Sequence, residues 1–394
     1  MDASGAACPA WIATALDAGG GSIPFSRFME LALHHPVHGG YGRGALRIGP
    51  SGDFATSPSL GPDFAALLVP QIAQWLQQQP VGQPLALVEA GPGEGDLALD
   101  LARELAVGWP SLAARTTLLL IEPNAGMAER QRLRLRQCPL PCRWLSFAEL
   151  AAQPVRGVLL AHEVLDALAV ERIVWDGTLW RRQQVALHQV PGADPSLRLV
   201  PGEPLEPEEL VRLKPLGLMQ PGSQHPPGWC TELHPEQGPW LRAAAAALES
   251  GVLLVIDYAL EAWRYYAPQR SNGTLMAYRQ QQASPDPLQE PGCWDLTAHL
   301  CLETLEQAAV AAGWQLQGQR RQGEALLALG LAQRLHGLQQ QSGVGLDALL
   351  ARREALLRLV DPHTLGDFRW IAFSRGGTSS HALAPLFLQD PPLA

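Results

Sequence analysis

Four apolar runs of this sequence end in an acid. Residues 85–88 lead into Glu89, 117–121 into Glu122, 158–161 into His162-Glu163, and 252–256 into Asp257. The first acid opens Glu89-Ala90-Gly91-Pro92-Gly93-Glu94-Gly95-Asp96, whose alternating glycines let a ligand approach the backbone closely. Glu122 follows Gly95 by one helix and one strand. There a carboxylate can accept the two hydroxyls of an adenosyl ribose. His162, Glu163 and Asp166 offer an imidazole and two carboxylates within five residues. Carboxylates accept the planar N–H fork of a guanidinium and can orient one of its nitrogens. On a helical turn Glu163 and Asp166 would share a face. The imidazole reads either as a base or as a packed neutral ring.

These groups need strands and turns to hold them. The unalternating run 85–88, the glycines, and the helical spacing of Leu97, Ala98, Leu101, Ala102 and Leu105 read as strand, turn and helix. Asp96 is placed to cap that helix. The glycine spacing differs from Gly-x-Gly-x-x-Gly, whose third glycine would fall at Asp96. That disfavours a nicotinamide-dependent oxidoreductase. Residues 85–174 alternate strand and helix, which indicates a parallel α/β sheet with ligands beyond the carboxyl ends of its strands.

The organisation expected is a helical N-terminal extension over 1–84, a first half of the sheet domain over 85–187, an insertion over 188–238 and a second half over 239–394. The extension carries a helix at 24–34, a long Gly-rich loop at 39–52 and a helix from Asp63 that Pro70 should kink. A hairpin turns at Asp176-Gly177. The insertion is rich in Pro, Gly and Glu and reads as having little regular structure. Residues 295–312 read as one helix, which places His299 in its middle as a core histidine. Strands are expected near 314–318 and 369–374, with a helix at 345–359 between them.

With 394 residues, 47% of them hydrophobic, the chain can bury a large core. A net charge of −9 without a basic stripe makes nucleic acid a poor partner. No apolar run approaches the ~20 residues of a membrane span. No basic residue precedes Arg27, which argues against secretory and mitochondrial targeting and gives a cytoplasmic expectation. The six cysteines are scattered, and no metal site is expected.

In order, the motifs resemble those of the MidA-like family of class I S-adenosylmethionine (SAM) methyltransferases, whose mitochondrial branch assists respiratory complex I assembly. The resemblance runs through His35-Pro36 with Gly39, Ile48-Gly49, the segment from Gly52-Asp53 to Ser57-Pro58, and the glycine turn. It continues through the segment from Ala161 to Leu168, Ile256-Asp257-Tyr258, Gly273-Thr274-Leu275 with Tyr278, Pro291-Gly292, Asp295 to His299, and Asp361-Pro362. It implies a Rossmann-like class I methyltransferase sheet with a helical N-terminal extension and a substrate-side insertion. SAM would be held by Gly52, Asp53, Thr56, Ser57, Glu89, Gly91, Gly93, Gly95 and Glu122. The catalytic acceptor side would be His162, Glu163 and Asp166. The reaction implied is methylation of a protein arginine, the partner being a subunit of an NADH dehydrogenase-like complex. A homodimer is one assembly compatible with this reading. Ala169 and Ala259 stand where the family usually has proline and glycine, and both fall on the presumed acceptor side. A competing reading is a SAM-binding assembly factor with little catalysis.

Overall fold

The structure, a computed structural model, describes residues 6–49, 52–189, 192, 194–218, 225–340, 345–376 and 383–392. The chain folds into two compact units that interleave along the sequence. A sheet unit comprises Arg47–Leu165, Gly238–Tyr258 and Glu306–Ala394, and a second unit comprises Met1–Leu46, Asp166–Gln237 and Ala259–Leu305.

The sheet unit is built on seven strands: β1 (Leu85–Ala90), β2 (Thr116–Ile121), β3 (Cys142–Trp144), β4 (Val155–His162), β5 (Leu248–Asp257), β6 (Gln315–Arg321) and β7 (Arg369–Arg375). Their order is β3-β2-β1-β4-β5-β7-β6. The first five run parallel, and β7 is antiparallel to both β5 and β6. All six residues of β1 are buried, as a strand covered on both faces requires. Helices α1 (Asp63–Gln77), α2 (Asp96–Gly108) and α3 (Ala125–Arg134) belong to this unit. Phe64, Leu68 and Leu76 of α1 and Leu101 and Leu105 of α2 share one core with Leu87, Leu118, Leu160 and Leu254. Pro70 lies within α1 without ending it.

Register brings the strand-end acids to one edge. Ala90 is paired with Ile121 on one side and Ala161 on the other, and His162 with Ile256. Glu89, Glu122, Glu163 and Asp257 therefore lie at the carboxyl ends of four neighbouring parallel strands. From β1 the chain winds outward through β2 and β3, then returns to β4 and β5 on the other side. The turns after β1 and β4 flank this switch, where open α/β sheets bind ligands.

The main sheet of the second unit is antiparallel. Glu171–Trp175 and Trp180–His188 form the expected hairpin, extended by Ser196–Pro204 on one side and Cys230–Leu233 on the other. Ser22–Pro24 also pairs with Trp180–His188. The helices Ala10–Ala18 and Phe25–His34 contribute Ile12, Leu16, Phe25 and Phe28 to a core shared with Val185, Leu197 and Leu275.

Several local expectations are corrected. The stretch 188–238 carries the nine-residue strand Ser196–Pro204, the helix Pro207–Leu213 and the strand Cys230–Leu233, while residues 190, 191, 193 and 219–224 lie outside the described ones. The unit boundaries differ from 84/85, 187/188 and 238/239, because the hairpin after Asp166 pairs with the N-terminal segment. Residues 163–169 form bends and turns without a helix. The helix expected over 295–312 begins only at Leu302, after the strands Asp295–Thr297 and Leu300–Cys301, so His299 lies between two strands. Asp96 is the first helical residue, and Gly95 occupies the N-cap in the left-handed region.

Candidate functional site

The turn after β1 is held in a shape that side chains resist. Gly91, Gly93 and Gly95 have φ of 60°, 54° and 86°. A Cβ on Gly91 would stand 2.8 Å from Val164 Cγ2, and one on Gly93 would stand 2.9 Å from Ile48 Cδ1. Ile48 belongs to the loop 47–54. Asp53 closes that loop, donating its amide to Arg47 O at 2.7 Å and accepting the Arg47 amide at Oδ2 over 2.8 Å. Gly52 donates to Gly49 O at 2.9 Å, while Pro50 and Ser51 lie outside the described residues. The loop that carries the expected cofactor residues Gly52 and Asp53 thus brings Ile48 against Gly93. Thr56 and Ser57 are engaged elsewhere. The Thr56 amide donates to Ser59 Oγ, and the buried Ser57 hydroxyl accepts from Gln322 Nε2 at 3.0 Å.

Glu89 is 3% exposed, and its Oε2 has no hydrogen-bond partner among the described residues. Burial, reinforced by Asp96, pushes its pKa up to about 8. A buried carboxylate with an unmet acceptor beside a glycine turn suits a cationic ligand such as SAM. In the free protein this raised pKa sets a sign. The folded state binds the proton more tightly than the unfolded chain, so this stability is full below the ordinary carboxylate range and is lost as pH rises toward 8. Melting curves should show the parent protein losing stability between about pH 5 and pH 8, and Glu89→Gln losing several degrees less over that range. Parallel curves for the two proteins would show that Glu89 is not protonated in the folded state.

Glu122 is held from two sides. Its Oε1 accepts from the Asn124 amide at 2.9 Å and Asn124 Nδ2 at 3.0 Å, and its Oε2 accepts from Gln131 Nε2 at 2.9 Å. Burial raises its pKa, and these hydrogen bonds oppose the rise. A carboxylate has about four acceptor positions, so Oε2 keeps one for a ligand. Gln131 went unnoticed in the sequence. Its signal was a polar residue on the buried face of α3, beside Met127 and Ala128.

At the end of β4, Glu163 adopts φ 51°, an uncommon left-handed conformation for a residue other than glycine. Its amide donates to Ile256 O at 2.9 Å. His162 Nδ1 lies 3.4 Å from Glu163 Oε1, and the ring stands edge-on to Phe64 at 5.4 Å. Burial pushes the His162 pKa down to about 3, so the ring is neutral. Asp257, fully buried, accepts from the amides of Leu165 and Tyr258 at 3.1 and 2.8 Å and fixes the chain leaving both strands.

Asp166, 3% exposed, begins the next segment of the second unit, and its carbonyl accepts from Ala298 at 2.9 Å. There the 273–275 and 295–299 motifs meet: His299 N donates to Thr274 Oγ1 at 3.1 Å, and Thr274 N donates to the buried Glu232 at 2.8 Å. Structure therefore gathers the glycine turn, Gly52, Asp53, Glu89, Glu122, His162 and Glu163 in the sheet unit, whereas Asp166 falls in the other.

Comparison with known proteins agrees with this fold. Residues 67–320 match a family described as "Putative S-adenosyl-L-methionine-dependent methyltransferase". A curated relative, the protein arginine methyltransferase NDUFAF7 homolog of Drosophila melanogaster, is 26% identical over 92% of this chain and 83% of its own. Protein arginine methyltransferase NDUFAF7 of Rattus norvegicus is 26% identical over 93% of this chain and 86% of its own. A crystal structure from Burkholderia thailandensis bound to S-adenosyl-homocysteine superposes with a TM-score of 0.84 at 29% identity, covering 97% of this chain and 95% of that one. Both curated relatives are named as mitochondrial, which overturns the cytoplasmic expectation. Absence of early basic residues was too indirect a basis for placing the protein.

Proposed function

We propose that this chain, which belongs to the S-adenosyl-L-methionine-dependent methyltransferase family matched by its residues 67–320, methylates a protein arginine side chain. The observation that carries the arginine reading is the His162-Glu163 pair at the end of β4, supported by relatives named protein arginine methyltransferase. The acceptor protein would be a subunit of an NADH dehydrogenase-like complex, in line with the resemblance to the mitochondrial branch.

When bound, SAM supplies a methyl already activated on a sulfonium, so the protein's task is alignment and exclusion of water. The glycine turn would take the methionine end, with Glu89 facing positive charge. Glu122 would take one ribose hydroxyl at Oε2, and a second by displacing Asn124 Nδ2. Asp53 would hold the 47–54 loop, and Gly52 its tight turn, while Thr56 and Ser57 would support that loop from behind. Glu163 would accept the guanidinium N–H fork and present one nitrogen toward the methyl. The neutral His162 ring would orient Glu163. As the nitrogen–methyl bond forms and the sulfur–methyl bond breaks, S-adenosylhomocysteine would leave and the proton shed by the nitrogen would pass to the Glu163 carboxylate. Asp166 is the second acceptor carboxylate of this proposal.

Glu122→Gln keeps the shape and removes the negative acceptor. A charge-assisted hydrogen bond contributes ~1.5–3 kcal/mol, so affinity for SAM should fall by roughly ten- to a hundredfold. A 2′-deoxy analogue should then lose less with the variant than with the parent. Equal losses, measured by titration calorimetry, would separate Glu122 from the ribose. The proposed activity is tested by labelled methyl transfer from SAM to a lysate of cells lacking the protein, followed by residue identification. Label on arginine supports it, and label only on lysine, RNA or a small molecule overturns it.

A further inference from the structure

Gln131 is fully buried, and its amide is held at both ends. Nε2 donates to Glu122 Oε2 and to Gly93 O, both at 2.9 Å, and Oε1 accepts from Trp144 Nε1 at 3.0 Å. The partners dictate which way the amide points. An indole nitrogen only donates, and an ionised carboxylate and a carbonyl only accept. A flipped amide would set oxygen against two acceptors and nitrogen against a donor. One side chain of α3 thus ties the glycine turn after β1 to the carboxylate after β2, with β3 supplying the group that sets its orientation.

We propose that Gln131 is a positioning residue of the cofactor site, fixing the distance between the glycine turn and Glu122, and that Trp144 fixes the orientation of Gln131. The proposal rests on the reading of Glu122 as the ribose acceptor. A ligand reaching from the glycine turn to Glu122 needs both at a set spacing, and Gln131 touches both. Its hydrogen bond also favours the ionised form of Glu122 against the burial that raises its pKa. The charged group acting on Glu122 is Arg130 on α3, which is itself paired at 2.9 Å with Glu94 of the glycine turn.

The test is titration calorimetry of the full-length protein with S-adenosylhomocysteine as the probe, over about pH 5.5 to 8, with melting curves alongside. Gln131→Leu should weaken binding about tenfold or more. Its affinity should begin to fall on acidification at a higher pH than the parent's, because Glu122 protonates more easily. Trp144→Phe should weaken binding about two- to fivefold by leaving Gln131 Oε1 without its donor, so that the amide is held at one end only. In a Glu122→Gln background, Gln131→Leu should cost less than it does alone, since the two act as a unit. A folded Gln131→Leu that binds with the parent's affinity and pH profile overturns the proposal, as does a loss that simply adds to that of Glu122→Gln. Should Gln131→Leu unfold, Trp144→Phe decides alone, and parent-like binding by it is the overturning result. Unchanged affinity in Glu122→Gln alone would instead remove the ribose reading, and the proposal with it, so the two failures are told apart.

Discussion

Gly93→Val is expected to abolish binding of SAM and of S-adenosylhomocysteine while the protein remains folded. Two effects act together. At φ 54° a β-branched residue is strained, and the turn would relax by moving its backbone amides. The new Cβ would also press on Ile48 Cδ1, 2.9 Å away, and push the 47–54 loop from the turn. Gly93 contributes the carbonyl that Gln131 holds, so the strain reaches the Glu122 side of the site as well. The core does not depend on this residue, because β1 and α2 on either side are buried through their own side chains. Calorimetric titration together with a melting curve checks the outcome. A folded variant with the parent's affinity would remove the turn from the cofactor site.

Much of this site was legible because a parallel sheet writes itself plainly. Strands covered on both faces appear as unbroken apolar runs, so β1, β2, β4 and β5 and the acids that end them could be read directly. The second unit was harder. Ser196–Pro204 contains Pro201, Gly202 and Pro204, residues that signal a loop. Here Pro201 and Pro204 sit where the ladder with Trp180–His188 shifts register, a place where a strand tolerates proline. The turn at 163–166 misled for another reason. Acids after a strand suit a helix N-terminus, but Glu163 turns left-handed and gives its amide to Ile256 O, so no helix starts there. Gln131 was hidden because a glutamine in a charged helix reads as solvated until its face is known to be buried.

That left-handed turn is the ground for the second large effect. Glu163→Gln should depress methyl transfer by about a hundredfold or more while leaving S-adenosylhomocysteine affinity within a few fold. Residues held in sparsely populated backbone regions cluster at functional sites, where the surrounding structure over-determines them. At Glu163 the over-determination is visible. Its amide is fixed to Ile256 O, the amide of Leu165 is fixed to Asp257, and His162 is packed against Phe64. A glutamine keeps these constraints and the side-chain volume. It replaces one carboxylate oxygen by an N–H₂ that repels a guanidinium donor, so the planar fork loses a fixed partner. Asp166→Asn should lower transfer similarly, by removing the second acceptor carboxylate, with the backbone bond from Ala298 to Asp166 O left intact. Lysine in place of the target arginine should be a poor acceptor, because an ammonium offers no planar fork. The measurement pairs the rate of labelled methyl transfer to arginine with calorimetric affinity for the product. Transfer at the parent rate in both variants would sink the acceptor assignment. Loss of product binding in either would move that residue to the cofactor site.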